Sequence, residues 1–192
     1  MRAILRTAVA VTIGVSATAA APVLTDGFEQ PPVPHSYQRL TAGHQFGAWT
    51  VTSGDVDLTT TDLWSAAQGR QSLDLDGAGP GTVARTFKST PLLTYRISYA
   101  LAGNYVGGPT IKTGEVRVNN KIVQRLSFDT TGKSRDNMGY TRHQAYVLAK
   151  TTSLRLEFAS TTTPAGHGPV IDDVKVDSCL VILCPKSAAT PA

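Results

Sequence analysis

Cysteine is scarce in this chain: only Cys179 and Cys184 occur among 192 residues. With no second pair and no histidine nearby, they exclude a zinc finger or ribbon. The four histidines, His35, His44, His143 and His167, show no H-x-x-x-H spacing, so the commonest helical metal motif is missing too. No G-x-S-x-G stretch is present, and no nucleophile elbow announces a hydrolase. The run GAGPG, Gly77 to Gly81, lacks the lysine and following helix of a phosphate-binding loop and reads as a turn. Basic residues are scattered singly, which argues against a nucleic-acid surface. Helical periodicity is absent after the first twenty or so residues, and without helices between strands a parallel α/β fold is excluded.

Long apolar runs are also lacking. The stretch Thr7 to Val15 follows a basic start at Arg2 and Arg6 and precedes small residues from Ala17 to Ala20. That order predicts a secretory signal peptide over residues 1–21, because the run falls well short of the ~20 residues that a membrane-spanning helix needs. Setting aside Arg2 and Arg6 lowers 18 basic residues to 16 against 14 acidic ones, and the net charge from +4 to +2. Export permits Cys179 and Cys184 to form a disulfide; the short loop it closes would contribute roughly 2 kcal/mol on the chain-entropy model. The other reading is a pair of free thiols. One domain is expected over residues 22–178, with a short polar tail over 179–192.

What the sequence has in abundance is alternation. LTYRISYAL sets Leu93, Tyr95, Ile97, Tyr99 and Leu101 on one face, and SLRLEFAS does the same with Leu154, Leu156 and Phe158. GEVRVNN and KIVQRLSFD flank an Asn-Asn-Lys turn and read as a hairpin. GTVARTFKS, SGDVDLTT, RQSLDLDG, RHQAYVLAK and VIDDVKV continue the pattern. About ten short strands separated by turn residues predict an all-β, antiparallel β-sandwich.

Six stretches in order resemble one family: DGFEQP (26–31), WTVTSGDVDL (49–58), LWSAAQGRQSLDLDG (63–77), YALAGN (99–104), FDTTGKSRDNMGY (128–140) and GPVIDDVKV (168–176). Together they resemble the bacterial choice-of-anchor C family and, more distantly, a plant cell-wall family of galactose-binding-like domains. The resemblance implies a galactose-binding-like jelly roll, exported and associated with a cell surface or a wall polysaccharide. No long apolar segment follows Val176, which favours free secretion over anchoring.

Adjacent aspartates inside GPVIDDVKV need an explanation, since strands generally avoid Asp. In a period-2 strand Asp172 and Asp173 point to opposite faces. By resemblance, Glu29 and Asp173 are candidate ligands for a structural Ca2+, with carbonyls near Gly27 and Gln45 to Gly47 completing the oxygen shell; the alternative is surface charge or a cap on strand-end amides. Asp74 and Asp76 alternate with leucines and read as a solvent-facing strand rather than an acid/base pair. Trp49 reads as core. Trp64, Tyr105 and Tyr140 are candidate sugar-stacking rings, and Arg135 and Asp136 candidate hydroxyl partners, because loops on a rigid sandwich concentrate binding residues. These readings give a secreted, non-catalytic module for extracellular polysaccharide, with a protein-binding adhesion scaffold as the alternative and neither nucleic acid nor a membrane span involved.

Overall fold

The computed structural model describes residues 22–179; the expected signal peptide, Cys184 and the rest of the tail lie outside the described residues. Thirteen strands, and no helix, occur among the described residues. They are β1 (Leu24–Asp26), β2 (Tyr37–Thr41), β3 (Gln45–Phe46), β4 (Trp49–Ser53), β5 (Asp55–Thr60), β6 (Gln71–Asp74), β7 (Thr82–Lys88), β8 (Thr94–Gly103), β9 (Ile111–Val118), β10 (Lys121–Asp129), β11 (Thr141–Leu148), β12 (Ser153–Ser160) and β13 (Pro169–Cys179). The alternating runs read from the sequence became strands. β2 and β3 escaped that reading because β2 buries only Leu40 and β3 is two residues long.

Two antiparallel sheets face each other, as the alternation requires. A seven-stranded sheet runs β11-β8-β13-β6-β5-β2, with β1 also paired to β13; a six-stranded sheet runs β10-β9-β12-β7-β4-β3. The first and last strands lie side by side, Leu24 opposite Val176. The β9–β10 hairpin turns at Asn119 and Asn120, both with positive φ (49° and 63°), the conformation a two-residue turn needs to match strand twist and one that asparagine tolerates.

Between the sheets, the inward members of each alternation form one core. A ring chain runs through it: Phe28 to Trp49 at 5.6 Å, Trp49 to Phe158 at 5.9 Å, Phe158 to Tyr99 at 5.2 Å. Trp49 is core, 1% exposed. Its Nε1 donates to Asp26 Oδ2 at 3.0 Å, and Arg85 Nη1 meets the same oxygen at 2.6 Å, so the polar edge of the ring is satisfied beside β1. Removing one such ring costs about 3–5 kcal/mol.

β13 carries the irregularity that organises the outside of the larger sheet. Asp172 pairs with Ala100 and Lys175 with Ser98, so one extra residue is inserted, and Asp173 takes a positive φ of 45°. This β-bulge overturns the expectation that the two aspartates face opposite sides. Both carboxylates stay on the outer side, because an inserted residue breaks the period-2 rule locally. No helix among the described residues is long and apolar enough to cross a membrane.

Candidate functional site

Three loops converge on one half of the outer face of the seven-stranded sheet: 61–70, 104–110 and 130–140. The outward side chains beneath them are small, including Thr59, Ser72, Ala100 and Ala102, all buried. Trp64 fills the space they leave. Its Nε1 donates to Ser72 Oγ at 3.0 Å, and its ring meets Tyr105 edge-on at 6.4 Å. Tyr105 and Tyr140 pack half-buried against the core, with Met138 buried beside Tyr140 in sequence. Burial pushes the Tyr140 phenol up. Trp64, 1% exposed, offers no face to a ligand, and its placement corrects the sugar-stacking expectation. Arg135 and Asp136 are exposed in the third loop. The Arg135 carbonyl accepts the Ser65 N–H at 2.9 Å, tying that loop to the first.

The carboxylates assigned to calcium are occupied by the chain itself. Glu29 Oε1 accepts the N–H groups of Arg70 and Gln71 at 2.9 and 3.0 Å. Asp173 pairs with Arg142 Nη1 at 2.5 Å and Lys175 Nζ at 3.0 Å. Burial raises the Asp173 pKa, but hydrogen bonds from Lys175 and Arg142, with their charges, outweigh it and leave the carboxyl below its ordinary value. Asp172 Oδ2 accepts the amides of Ala67 and Gln68, each at 2.8 Å. Burial carries its pKa to about 7 against those bonds. Among the described residues no group of three or more His, Cys, Asp or Glu is placed to hold a metal ion. The donor set does not fit the expected Ca2+: its two side-chain ligands are satisfied by backbone amides in one case and by cations in the other.

Asp74 and Asp76 are a further correction. Asp74 stays on the outer side, as the alternation said, but that side is roofed. It is 1% exposed and Asp76 0%. Asp74 accepts from the amides of Asp76 and Gly168 (3.0 and 3.2 Å) and from Asn104 Nδ2 (2.7 Å). Burial pushes it up to about 8, against the Asn104 and Asp76 bonds and helped by the charge of Asp57 opposite. Asp76 Oδ2 accepts the Ser160 hydroxyl at 2.9 Å, and burial raises its pKa too. Lys112, fully buried, donates to the Gly107 carbonyl at 2.5 Å; burial lowers its pKa while Asp74 and Asp76 oppose the change. This cluster clamps the rim loops and is sealed from any polymer outside.

An open cleft of about 520 Å³ lies between the edge strands β10 and β11, within the size range of small-molecule sites. Phe128, Asp129, Lys133, Thr141, Arg142 and His143 line it. His143 stacks on Tyr99 at 5.7 Å and 17°, and its Nε2 lies 2.9 Å from the Thr141 hydroxyl. Burial lowers its pKa, favouring the neutral ring. Lys133 Nζ sits 5.9 Å over the Phe128 ring. A hydroxyl, an imidazole and fixed charges thus meet in one open, shallow place. Sequence reading passed over these residues: His143 and Lys133 carry no spacing signal, and only the approach of two sheet edges assembles them. A second groove of about 630 Å³, at Val23, Leu93, Tyr95 and Ser178, lies where β1 begins and β13 ends; buried Cys179 closes β13 there.

The family described as "protein of unknown function (DUF642)" matches residues 23–177. No curated protein matches the chain in sequence. Among solved structures, the chain is similar to the CBM22-1 xylan-binding domain from Paenibacillus barcinonensis Xyn10C, at 17% identity over 85% of this chain and 97% of that one, TM-score 0.50. It is similar also to the K2 cleaved adhesin domain of Lys-gingipain, at 12% identity over 80% and 98%, TM-score 0.50. At such identities the likeness establishes the jelly-roll sandwich and nothing finer.

Proposed function

The chain belongs to the DUF642 family, and on that footing we propose that it is a secreted, non-catalytic carbohydrate-binding module directed at cell-wall or other extracellular polysaccharide. The observation that carries this is the cleft between β10 and β11, where the partly exposed His143 ring lies beside hydroxyl and charged hydrogen-bonding groups on a rigid two-sheet frame. A sugar has apolar faces and hydroxyl edges, and such a lining suits both. The same fold serves a xylan-binding domain and an adhesin domain, so the site has to decide the function. The burial of Asp74 and Asp76 supports the non-catalytic reading, since carboxylates sealed from solvent do not reach a glycosidic bond. Kinship with choice-of-anchor C proteins and export by a signal peptide belong to the same proposal, on the six ordered motifs and the leader.

The test is retention of the secreted protein on a panel of insoluble polysaccharides, with soluble products assayed in parallel. Retention without product release, weakened by Lys133→Ala, is the expected result. No retention on any polymer, with a specific protein captured by cross-linking instead, replaces the reading with the adhesion alternative.

A further inference from the structure

The half of the seven-stranded sheet that no loop among the described residues covers presents its outward side chains in rows. Tyr146 on β11 stands opposite Arg96 on β8, and Arg96 opposite Asp177 on β13. In the next row Gln144 faces Ser98, Ser98 faces Lys175, and Lys175 faces Thr25 on β1. Arg142 follows on β11, opposite Ala100. Tyr146 is 48% exposed, so a ring lies open beside this polar grid.

Each charged group on this face meets an opposite one, three cations sharing two carboxylates. Arg96 Nη2 meets Asp177 at 2.7 Å, Arg142 Nη1 meets Asp173 at 2.5 Å, and Lys175 Nζ meets Asp173 at 3.0 Å. A polyanion would approach Asp173 and Asp177, and a polycation the guanidinium groups. A neutral partner rich in hydroxyls meets donors and acceptors already held in place, so little ordering cost remains on binding. We propose that this face binds an extended, neutral polysaccharide chain. The Tyr146 ring stacks on one sugar, while Gln144, Ser98 and Lys175 exchange hydrogen bonds with hydroxyls further along. Four strands at roughly 4.8 Å spacing give a platform about 14 Å across. Arg142 also lines the β10–β11 cleft, so platform and cleft form one continuous run along β11. The inference rests on the carbohydrate-binding reading and adds a second site and a charge class to it.

The full chain is tested for retention on cellulose and unsubstituted xylan, both neutral, and on immobilised polygalacturonate, which is acidic. Tyr146→Ala is expected to lower retention on a neutral polymer by about tenfold or more, as truncating a binding hot spot does, with an unchanged melting curve. Tyr146→Phe keeps the ring and is expected to retain most binding, and raising the salt is expected to change little. Equal retention of Tyr146→Ala and wild type, with loss on Lys133→Ala, overturns this inference and leaves the carbohydrate-binding reading standing. Retention on the acidic polymer alone overturns the neutral charge class. A wild-type chain retained by nothing overturns both.

Discussion

β8 and β13 run through two halves of one sheet face that the protein treats in opposite ways. In the covered half, Ala100 and Ala102 on β8 and Val170 on β13 are small or apolar and fully buried beneath loops. In the open half, Arg96, Ser98, Lys175 and Asp177 on the same strands are longer or more polar and are only partly buried. The boundary is the bulge. Asp172 turns to the covered half and caps the first loop through Ala67 and Gln68. Asp173 turns to the open half and anchors Arg142 and Lys175. Adjacent carboxylates in a strand therefore mark a change of environment along it: one holds a roof on, the other sets the charges of a bare platform.

The comparison breaks most sharply at Trp64. Trp64→Ala is expected to destabilise by about 3–5 kcal/mol in a urea titration, the usual loss for a buried aromatic. A loss under 1 kcal/mol would mean the loops do not form a packed roof. The bulge gives the next largest contrast. Asp172→Ala leaves two loop amides without their acceptor and is expected to cost about 2–3 kcal/mol. Asp173→Ala is expected to cost about 1 kcal/mol or less, because Arg142 and Lys175, at 61% and 44% side-chain exposure, turn to water instead. Equal losses at the two positions would dissolve the boundary.

A pH series sharpens the same contrast from the covered side. Asp74 carries a folded pKa of about 8, raised by burial above its unfolded value. A carboxyl of that kind binds its proton more tightly when folded, so its contribution is present at low pH and is lost as pH rises toward 8. Between pH 6.5 and 8.5 the wild type is expected to lose about 2 kcal/mol of stability from this group. Asp74→Asn is expected to flatten that slope in denaturant titrations, leaving the smaller part that Asp172 adds in the same direction. A slope that Asp74→Asn does not change would place the titration elsewhere.

Much of the frame was legible, because period-2 alternation and the Asn119-Asn120 turn are local signals. The alternation even assigned Asp74 to the correct side of its strand. It had no means of saying that this side is roofed, since the roof comes from loops distant in sequence. Trp64 misled for the same reason. Its neighbours Ser65 and Ala66 look like an exposed loop, and the partner that satisfies its N–H is Ser72, across the turn into β6. The bulge left a trace that was read differently: two aspartates in a strand pointed to a bound cation, and one of them, Asp173, pairs with Arg142 and Lys175. The cleft and the platform left no trace. Lys133, His143 and Tyr146 become neighbours of other groups only when sheet edges and strand registers are fixed.

The smallest expected effect is the most informative about the open half. Tyr146→Ala removes a large ring, and in the covered half an equivalent loss costs several kcal/mol. Here the ring is about half exposed, and its cross-strand neighbour Arg96 keeps its bond to Asp177 without it. The expected change is within about 0.5 kcal/mol, the usual range for surface positions, read as an unaltered midpoint in the same urea titration used for Trp64. A loss near that of Trp64 would make Tyr146 another part of the packing and the open half a thinner version of the covered one. A neutral result leaves the ring without a structural task, and an exposed tyrosine on a rigid, charge-paired face is then explained by what it touches outside the protein.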